Sequence, residues 1–159
     1  MNSDIIGNTP LIKISNKIYG KLETYSPTGS VKDRMISYVV QKAVSAKLIN
    51  KDTVICEATS GNTGISLSAM AAKMGLKCYI FMPSNMSEER KTMMKIFGSV
   101  IIDAPENDFV EAIAMRDRFL EDNTLAWSPK QFSNLDNTEC HQLITAPEIK
   151  KQVKDIAKQ

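Results

Sequence analysis

A turn that joins a predicted strand to a predicted helix is the feature that most constrains the fold of this chain. Residues 53–56 are short, β-branched and uncharged, which is typical of a buried parallel strand. Residues 65–75 place apolar side chains at helical spacing and stop at glycine. The polar stretch 57–64, with the sequence EATSGNTG, stands between them. A strand followed at once by a helix predicts a βα unit of a parallel sheet.

The same turn is a candidate anion site. The first backbone N–H groups of a helix have no internal partner and carry the positive end of the helix dipole, so a carboxylate or phosphate is favoured there. Gly61 and Gly64 allow the backbone to approach such an anion. Hydroxyl and amide groups add further donors, from Thr59, Ser60, Asn62 and Thr63. The alternative is an ordinary βα turn in which Thr or Ser caps the helix.

Lys32 is a second candidate for a functional residue. Residues 35–44 repeat apolar side chains at helical intervals, which places Lys32 at or near a helix start that Ser30 is able to cap. A cation at a helix N-terminus opposes the dipole, and this favours the uncharged amine that a Schiff-base lysine requires. The alternative is a solvated surface lysine.

The rest of the chain repeats the alternation of strand and helix. Strands are predicted at 77–82, 99–102 and 124–127, with helices at 87–98 and 108–120, after two short strands near 11–14 and 17–23. A short helix is predicted at 137–145, which Pro147 interrupts, before a lysine-rich helical tail. The pattern predicts an α/β fold with a parallel sheet and helices on both faces. Ligands bind beyond the carboxyl ends of such strands, where Gln131 is also expected.

Composition excludes several classes of protein. The 159 residues fit one domain, and the net charge of +2 gives no reason to expect nucleic acid or an anionic membrane as partner. The chain shows no leader sequence and no stretch able to span a bilayer, which predicts a cytoplasmic location. Cys56, Cys78 and Cys140 lack metal-binding spacing, so buried structural thiols are favoured over metal ligands or nucleophiles. His141 is predicted on a polar helix face rather than in catalysis.

The chain carries a series of motifs that together resemble a known family. They occur at 6–11 (IGNTPL), 27–34 (PTGSVKDR), 58–64 (ATSGNTG), 82–90 (MPSNMSEER) and 131–134 (QFSN). Each motif is weak alone, but their order and separations are similar to those of cysteine synthase, also called O-acetylserine sulfhydrylase.

The resemblance implies a fold, a cofactor and a set of site residues. The fold is that of a fold-type II pyridoxal phosphate enzyme, and the reaction is the replacement of the acetate group of O-acetylserine by sulfide. Lys32 would carry the cofactor and remove the substrate's α-proton, and Asn62 would bind the ring oxygen. The resemblance assigns the substrate carboxylate to Thr59, Ser60, Gly61, Thr63 and Gln131.

The resemblance covers the N-terminal half of the family pattern. Residues 1–159 are predicted to form a single α/β domain, in which 1–30 are strands that belong to the larger domain in the family, 31–147 the smaller domain and 148–159 a charged helical tail. The family's phosphate-binding loop is absent, so low activity is expected of this chain alone. The charged tail favours a natural terminus over an arbitrary cut.

The resemblance also implies partners and leaves a second functional class open. The partners are an amino-acid substrate, a second copy or a complementary chain, and the C-terminal tail of serine acetyltransferase. The alternative to an enzyme is a non-catalytic module or decoy that binds an amino-acid or peptide-tail carboxylate.

Overall fold

A computed structural model describes residues 5–156. In chain order the elements are β1 (Leu11–Ser15), β2 (Ile18–Lys21), a 3₁₀ turn (Glu23–Tyr25), α1 (Lys32–Ser45), β3 (Val54–Ala58), α2 (Asn62–Met74), β4 (Lys77–Pro83), α3 (Glu88–Ile96), β5 (Val100–Ala104), α4 (Phe109–Asp122), β6 (Ala126–Trp127), α5 (Asp136–Cys140), a π-helix (His141–Thr145) and α6 (Ala146–Ile156). The predicted tail residues 157–159 lie outside the described residues.

The centre of the fold is a parallel sheet with the strand order β5-β4-β3-β6. Alternate residues of β4 enter different cores, because successive side chains of a strand point to opposite faces. Ile80 packs with α1 and α2 on one face, whereas Phe81 packs with α4 on the other. The predicted α/β class, with helices on both faces of a parallel sheet, is confirmed.

Strand β3 is longer than the sequence predicts. The sequence pattern places Glu57 and Ala58 in the polar turn, but both belong to the strand and both are buried. The Glu57 carboxylate accepts hydrogen bonds from Arg116 Nη1 at 2.7 Å and from Ala58 N at 2.8 Å. A buried charge is tolerated when it is paired and hydrogen-bonded, so the strand continues through Glu57.

The prediction that Pro147 interrupts a helix is wrong. Helical structure runs from Asp136 through the π-helix into α6, and Pro147 lies in the first turn of α6. Proline normally breaks a helix because it lacks an N–H and its ring meets the carbonyl four residues earlier. The carbonyl four residues before Pro147 belongs to Leu143 in the π-helix, where hydrogen bonds run i→i+5 instead of i→i+4.

The N-terminal strands β1 and β2 form an antiparallel hairpin, and a buried arginine of α1 binds the 3₁₀ turn that follows the hairpin and also binds α6. Arg34 is 2% exposed, and its guanidinium donates to Glu23 Oε2 at 2.8 Å and to Glu148 Oε2 at 2.8 Å. Lys21 Nζ reaches the second Glu148 oxygen at 2.5 Å. Whether residues 1–30 form part of a different domain stays a prediction.

The described thiols are buried and unpaired with one another, as predicted. Burial raises the pKa of Cys56 to about 12 and those of Cys78 and Cys140 to about 11, so each thiol stays protonated at neutral pH. Within residues 5–156 no helix is long and apolar enough to cross a bilayer, and no cluster of His, Cys, Asp and Glu is suited to a metal ion.

The Glu148 carboxylate predicts a specific loss of stability in acid. Burial acts to raise the pKa of Glu148, but hydrogen bonds from Arg34, Lys21 and Asn8 N outweigh it and hold the pKa at about 2. The stabilisation is therefore complete above the ordinary pKa of 4.5, declines as the pH falls below it, and is lost below about 2. In urea titrations from pH 6 to pH 2, we expect Glu148→Gln to flatten the decline in the free energy of unfolding.

The matched control for this experiment is Glu106→Gln, which removes an exposed carboxylate. The free energy of unfolding of this variant should depend on pH as that of the wild-type chain does. Equal slopes for the wild type and Glu148→Gln between pH 4.5 and pH 2 contradict the prediction.

Candidate functional site

The candidate site is centred on the N-terminus of α2, directly beyond the carboxyl end of β3. Within residues 5–156 the backbone N–H groups of Asn62 and Thr63 have no hydrogen-bond acceptor. Thr59 and Thr63 are buried, at 4% and 3% exposure, whereas the Asn62 side chain is exposed. Unpaired N–H groups at the positive end of a helix dipole are suited to an anion.

Gln131 meets this helix from the loop that follows β6. The Thr63 hydroxyl donates to Gln131 Oε1 at 2.5 Å. Gln131 is half-buried, and its Nε2 group makes no hydrogen bond to the described part of the chain. Because its carbonyl oxygen is occupied by Thr63, the amide is oriented with Nε2 as a free donor.

The two glycines of the turn, which the sequence predicts to allow the approach of an anion, have different surroundings. A Cβ atom at Gly61 would meet nothing within 4 Å, so space lies beside the backbone at this point. A Cβ at Gly64 would lie 2.6 Å from Met94 Cε and 3.0 Å from Thr59 Cγ2. Gly64 therefore serves the packing of α2 against α3, whereas Gly61 leaves room for a ligand. The Ser60 side chain is half-buried beside this space.

Lys32 is the first residue of α1, as predicted. Its backbone N–H donates to Ser30 Oγ at 3.2 Å, so the serine satisfies an N–H group of the first turn. The Lys32 side chain is half-buried. Within residues 5–156 it makes no hydrogen bond or ion pair with Asn62 or with the 59–64 turn.

The loop that leads to Lys32 is fixed to α2 by a neighbouring carboxylate. Asp33 is 1% exposed and accepts from Thr28 N at 2.7 Å and from Thr28 Oγ1 at 2.6 Å. Thr28 Oγ1 lies 3.0 Å from Ser66 Oγ in α2. Asp33 thus holds Thr28, and Thr28 links the segment that carries Lys32 to the helix whose N-terminus forms the candidate site.

His141 is the first residue of the π-helix, where the sequence predicts a polar helix face. Its Nδ1 atom is 3.0 Å from Thr145 Oγ1, one turn along the π-helix. Burial, together with the positive charges of Lys32 and Arg34, lowers the pKa of His141. The ring is therefore uncharged at neutral pH.

Sequence patterns miss the residues that hold Gln131 in place. Glu57 Oε2 accepts from Gln131 N at 3.1 Å, and Asn137 Nδ2 donates to Gln131 O at 3.1 Å. The one sequence signal is Glu57, a charged residue that directly follows an apolar strand. A charge at that position also fits the start of a turn, so it does not by itself indicate a buried residue. Its partner Arg116 stands in an amphipathic helix and carries no motif.

The geometry defines a parallel α/β protein with a candidate anion site where the strands end. Residues 3–158 match the family described as Pyridoxal-phosphate dependent enzyme, and the chain belongs to this family.

Named relatives and solved structures refine that assignment. The chain is 40% identical over 153 residues to a cysteine synthase of a Flavobacterium species, covering 92% of this chain and 50% of the relative. A hydrogen sulfide-producing enzyme from Fusobacterium nucleatum superposes with a TM-score of 0.88 at 38% identity, covering 95% of this chain and 52% of that protein. An O-acetylserine dependent cystathionine beta-synthase from Helicobacter pylori superposes with a TM-score of 0.87 at 35% identity, with 94% and 52% coverage.

These comparisons confirm the resemblance to cysteine synthases and its restriction to an N-terminal half. The chain spans about half the length of the relatives it matches. The fold-type II assignment is likewise confirmed, because the matched structures are enzymes of that type.

The donor set fits pyridoxal phosphate, the cofactor of this family. Lys32 offers an amine at a helix start, Asn62 offers an exposed amide, and α2 offers free N–H groups beside the open space at Gly61. These groups are an amine for covalent attachment, a donor for a ring oxygen and, at α2, donors for the carboxylate of an amino acid joined to the cofactor.

Asp33→Ala tests whether the Asp33 carboxylate orders the loop before Lys32. The substitution removes two hydrogen bonds to a buried charged acceptor, and such bonds contribute about 1.5–3 kcal/mol each to the free energy of unfolding. We expect a loss of about 3–6 kcal/mol in urea denaturation, and faster hydrogen exchange at the Thr28 amide. The exposed Asp52→Ala is the control and should change neither quantity. An unaltered Thr28 exchange rate in Asp33→Ala would rule the link out.

Proposed function

We propose that this protein acts in pyridoxal phosphate-dependent synthesis of cysteine, in which sulfide replaces the acetate group of O-acetylserine. The observation that carries the proposal is the Thr63–Gln131 hydrogen bond beside the free N–H groups of α2. It preforms a carboxylate site at the helix to which the Lys32 segment is tied. The cysteine synthases among the relatives support this choice of reaction.

Lys32 and Asn62 are the residues proposed to hold the cofactor. Lys32 Nζ is the proposed attachment point, and the Asn62 amide the proposed donor to the ring oxygen. When bound, pyridoxal phosphate supplies a ring that withdraws electrons from the α-carbon of an amino acid.

The remaining residues of the site orient the substrate. The proposed carboxylate ligands are Thr59, Ser60, Gly61, Thr63 and Gln131, through hydroxyl, backbone N–H and amide groups. Holding the carboxylate at α2 fixes the direction of the α-C–H bond, and this positioning is what a proton transfer requires. Lys32 Nζ is the proposed base that accepts the α-proton.

The 159-residue chain alone is proposed to be a poor catalyst. A phosphate dianion needs several convergent N–H donors. Apart from the loop 27–30 that leads to Lys32, the described residues offer one glycine-bearing turn that opens on a helix. That turn is assigned to the carboxylate. The proposed assembly is therefore a homodimer or a complex with a complementary chain. Exposed apolar side chains on the β1–β2 hairpin support docking, at Ile12, Ile14 and Ile18.

A non-catalytic carboxylate-binding module is the second candidate. One observation favours it, namely that Thr63 and Gln131 bond to each other and that, among the described residues, neither receives a hydrogen bond from Lys32. Such a module would bind an amino acid or the carboxyl terminus of a peptide, with the serine acetyltransferase tail as the proposed example. A cytoplasmic location also stays a prediction.

Covalent labelling tests the role of Lys32. We expect borohydride reduction of the chain mixed with pyridoxal phosphate to label the peptide that contains Lys32, because a Schiff base becomes a stable amine on reduction. Lys32→Ala should lose the label and the visible absorption band, while the exposed-site control Lys51→Ala keeps both.

An activity assay on the same samples separates the two functional classes. With pyridoxal phosphate, O-acetylserine and sulfide, we expect slow cysteine formation that disappears in Lys32→Ala. A label on another lysine contradicts the assignment of Lys32. The absence of label and turnover, with amino-acid binding retained, favours the module.

Thr63→Val tests the carboxylate site under either functional class. It keeps the shape of the side chain but removes the hydroxyl that orients the Gln131 side-chain amide. A hydrogen bond from that amide to a charged group contributes about 1.5–3 kcal/mol. Affinity for L-serine, measured by NMR titration, should therefore fall roughly tenfold or more. Thr92→Val in α3 is the matched control on an exposed helix surface. Equal affinity in the wild type and Thr63→Val removes this site from consideration.

A further inference from the structure

Glu57 is a buried carboxylate to which the proposed reaction gives no role. It is 0% exposed and lies one residue before the end of β3. Burial raises its pKa, while Arg116 and two backbone N–H groups act in the opposite direction. An apolar residue of similar size would avoid the desolvation cost of a buried ion pair. The hydrogen bonds of Glu57 therefore point to a purpose other than stability.

The contacts of Glu57 lead to the backbone of Gln131. Glu57 Oε1 is occupied by Arg116 Nη1 at 2.7 Å and by Ala58 N at 2.8 Å, so this oxygen is fixed to α4 and to its own strand. The other oxygen, Oε2, accepts from Gln131 N at 3.1 Å. The two oxygens thus join β3 and α4 to the loop after β6.

Gln131 is held on both sides of its peptide unit. Its N–H is bound by Glu57, its carbonyl oxygen accepts from Asn137 Nδ2 at 3.1 Å, and its side-chain oxygen accepts from Thr63 Oγ1 at 2.5 Å. The preceding residue, Lys130, adopts a left-handed conformation with φ of 47°, which non-glycine residues rarely adopt. The loop therefore takes a specific shape that side-chain contacts maintain.

We propose that Glu57 is a positioning residue. It fixes the Gln131 backbone so that the side-chain amide of Gln131 faces a carboxylate ligand at the N-terminus of α2. This inference rests on the proposed function, since the ligand is the carboxylate assigned to that turn. Glu57 does not touch the ligand. Its charge is balanced by Arg116, so an anionic ligand meets no net repulsion from the pair.

The isosteric change Glu57→Gln keeps the volume of the side chain but removes its charge and one acceptor oxygen. Loss of the charge alone leaves Arg116 positive and favours an anionic ligand, so a fall in affinity reports the loss of positioning. A glutamine has one acceptor oxygen, and Arg116 is the stronger donor, so the side-chain NH₂ would face Gln131 N. Two donors in opposition release the Gln131 backbone. We expect L-serine affinity, measured by NMR titration of the 159-residue chain, to fall about tenfold in Glu57→Gln.

A double-mutant cycle with Gln131→Ala identifies the route of the effect. If Glu57 acts through Gln131, adding Glu57→Gln to Gln131→Ala should cause no further loss, whereas a merely structural role gives additive losses. Ile55→Val, a buried change in the same strand, is the control and should leave affinity unchanged. Additive losses, or wild-type affinity in Glu57→Gln, overturn the proposal.

The cycle also distinguishes this proposal from the proposed function. Wild-type affinity in Gln131→Ala defeats the carboxylate site itself, whereas a loss in Gln131→Ala without one in Glu57→Gln defeats only the role of Glu57. Hydrogen exchange on the wild-type chain gives a result even if Glu57→Gln does not fold. We expect the backbone N–H of Gln131 to exchange at least about a hundredfold more slowly than in an unstructured peptide. Exchange at the peptide rate overturns the proposal.

Discussion

The parallel pairing of β3 with both β4 and β6 determines where the candidate site lies. Val54 and Ile55 pair with Ala126 and Trp127, so the two strands end at the same edge of the sheet. The turn after β3 and the loop after β6 are therefore neighbours, although Thr63 and Gln131 are 68 residues apart. The site is a consequence of strand direction, because an antiparallel β6 would place Gln131 at the opposite edge.

Buried charges fix the parts of the fold that hydrophobic packing leaves undetermined. Glu57 and Arg116 join the sheet to α4 and to the Gln131 loop, while Arg34 joins α1 to the 3₁₀ turn after the hairpin and to α6. Replacing such pairs by apolar residues often costs no stability, but breaking one leaves a buried charge unpaired. Apolar cores tolerate many arrangements, whereas these hydrogen bonds have defined directions.

Local sequence patterns are sufficient for the βα alternation and for the start of α1 at Lys32, because both depend on periodicity and on residues close in sequence. They do not predict the burial of Glu57, whose partner Arg116 is 59 residues away. They also give Gly64 a ligand role, although its neighbour Met94 lies in another helix. The ligand roles of Lys32, Asn62 and the turn stay predictions, since they concern groups that bind a molecule rather than one another.

The contacts that join the N-terminal residues to α6 affect how the chain acquires its structure during synthesis. Gln152 Nε2 donates to Thr9 O across 143 residues, and Glu148 contacts Arg34 across 114. An isolated two-stranded hairpin is marginal in water, so β1 and β2 gain a lasting partner only when α6 has been made. At a translation rate of about 5–20 residues per second, the hairpin is without that partner for roughly 6–30 seconds. During this interval the hairpin is free to open, and it is the segment in which chaperone binding and premature association should concentrate.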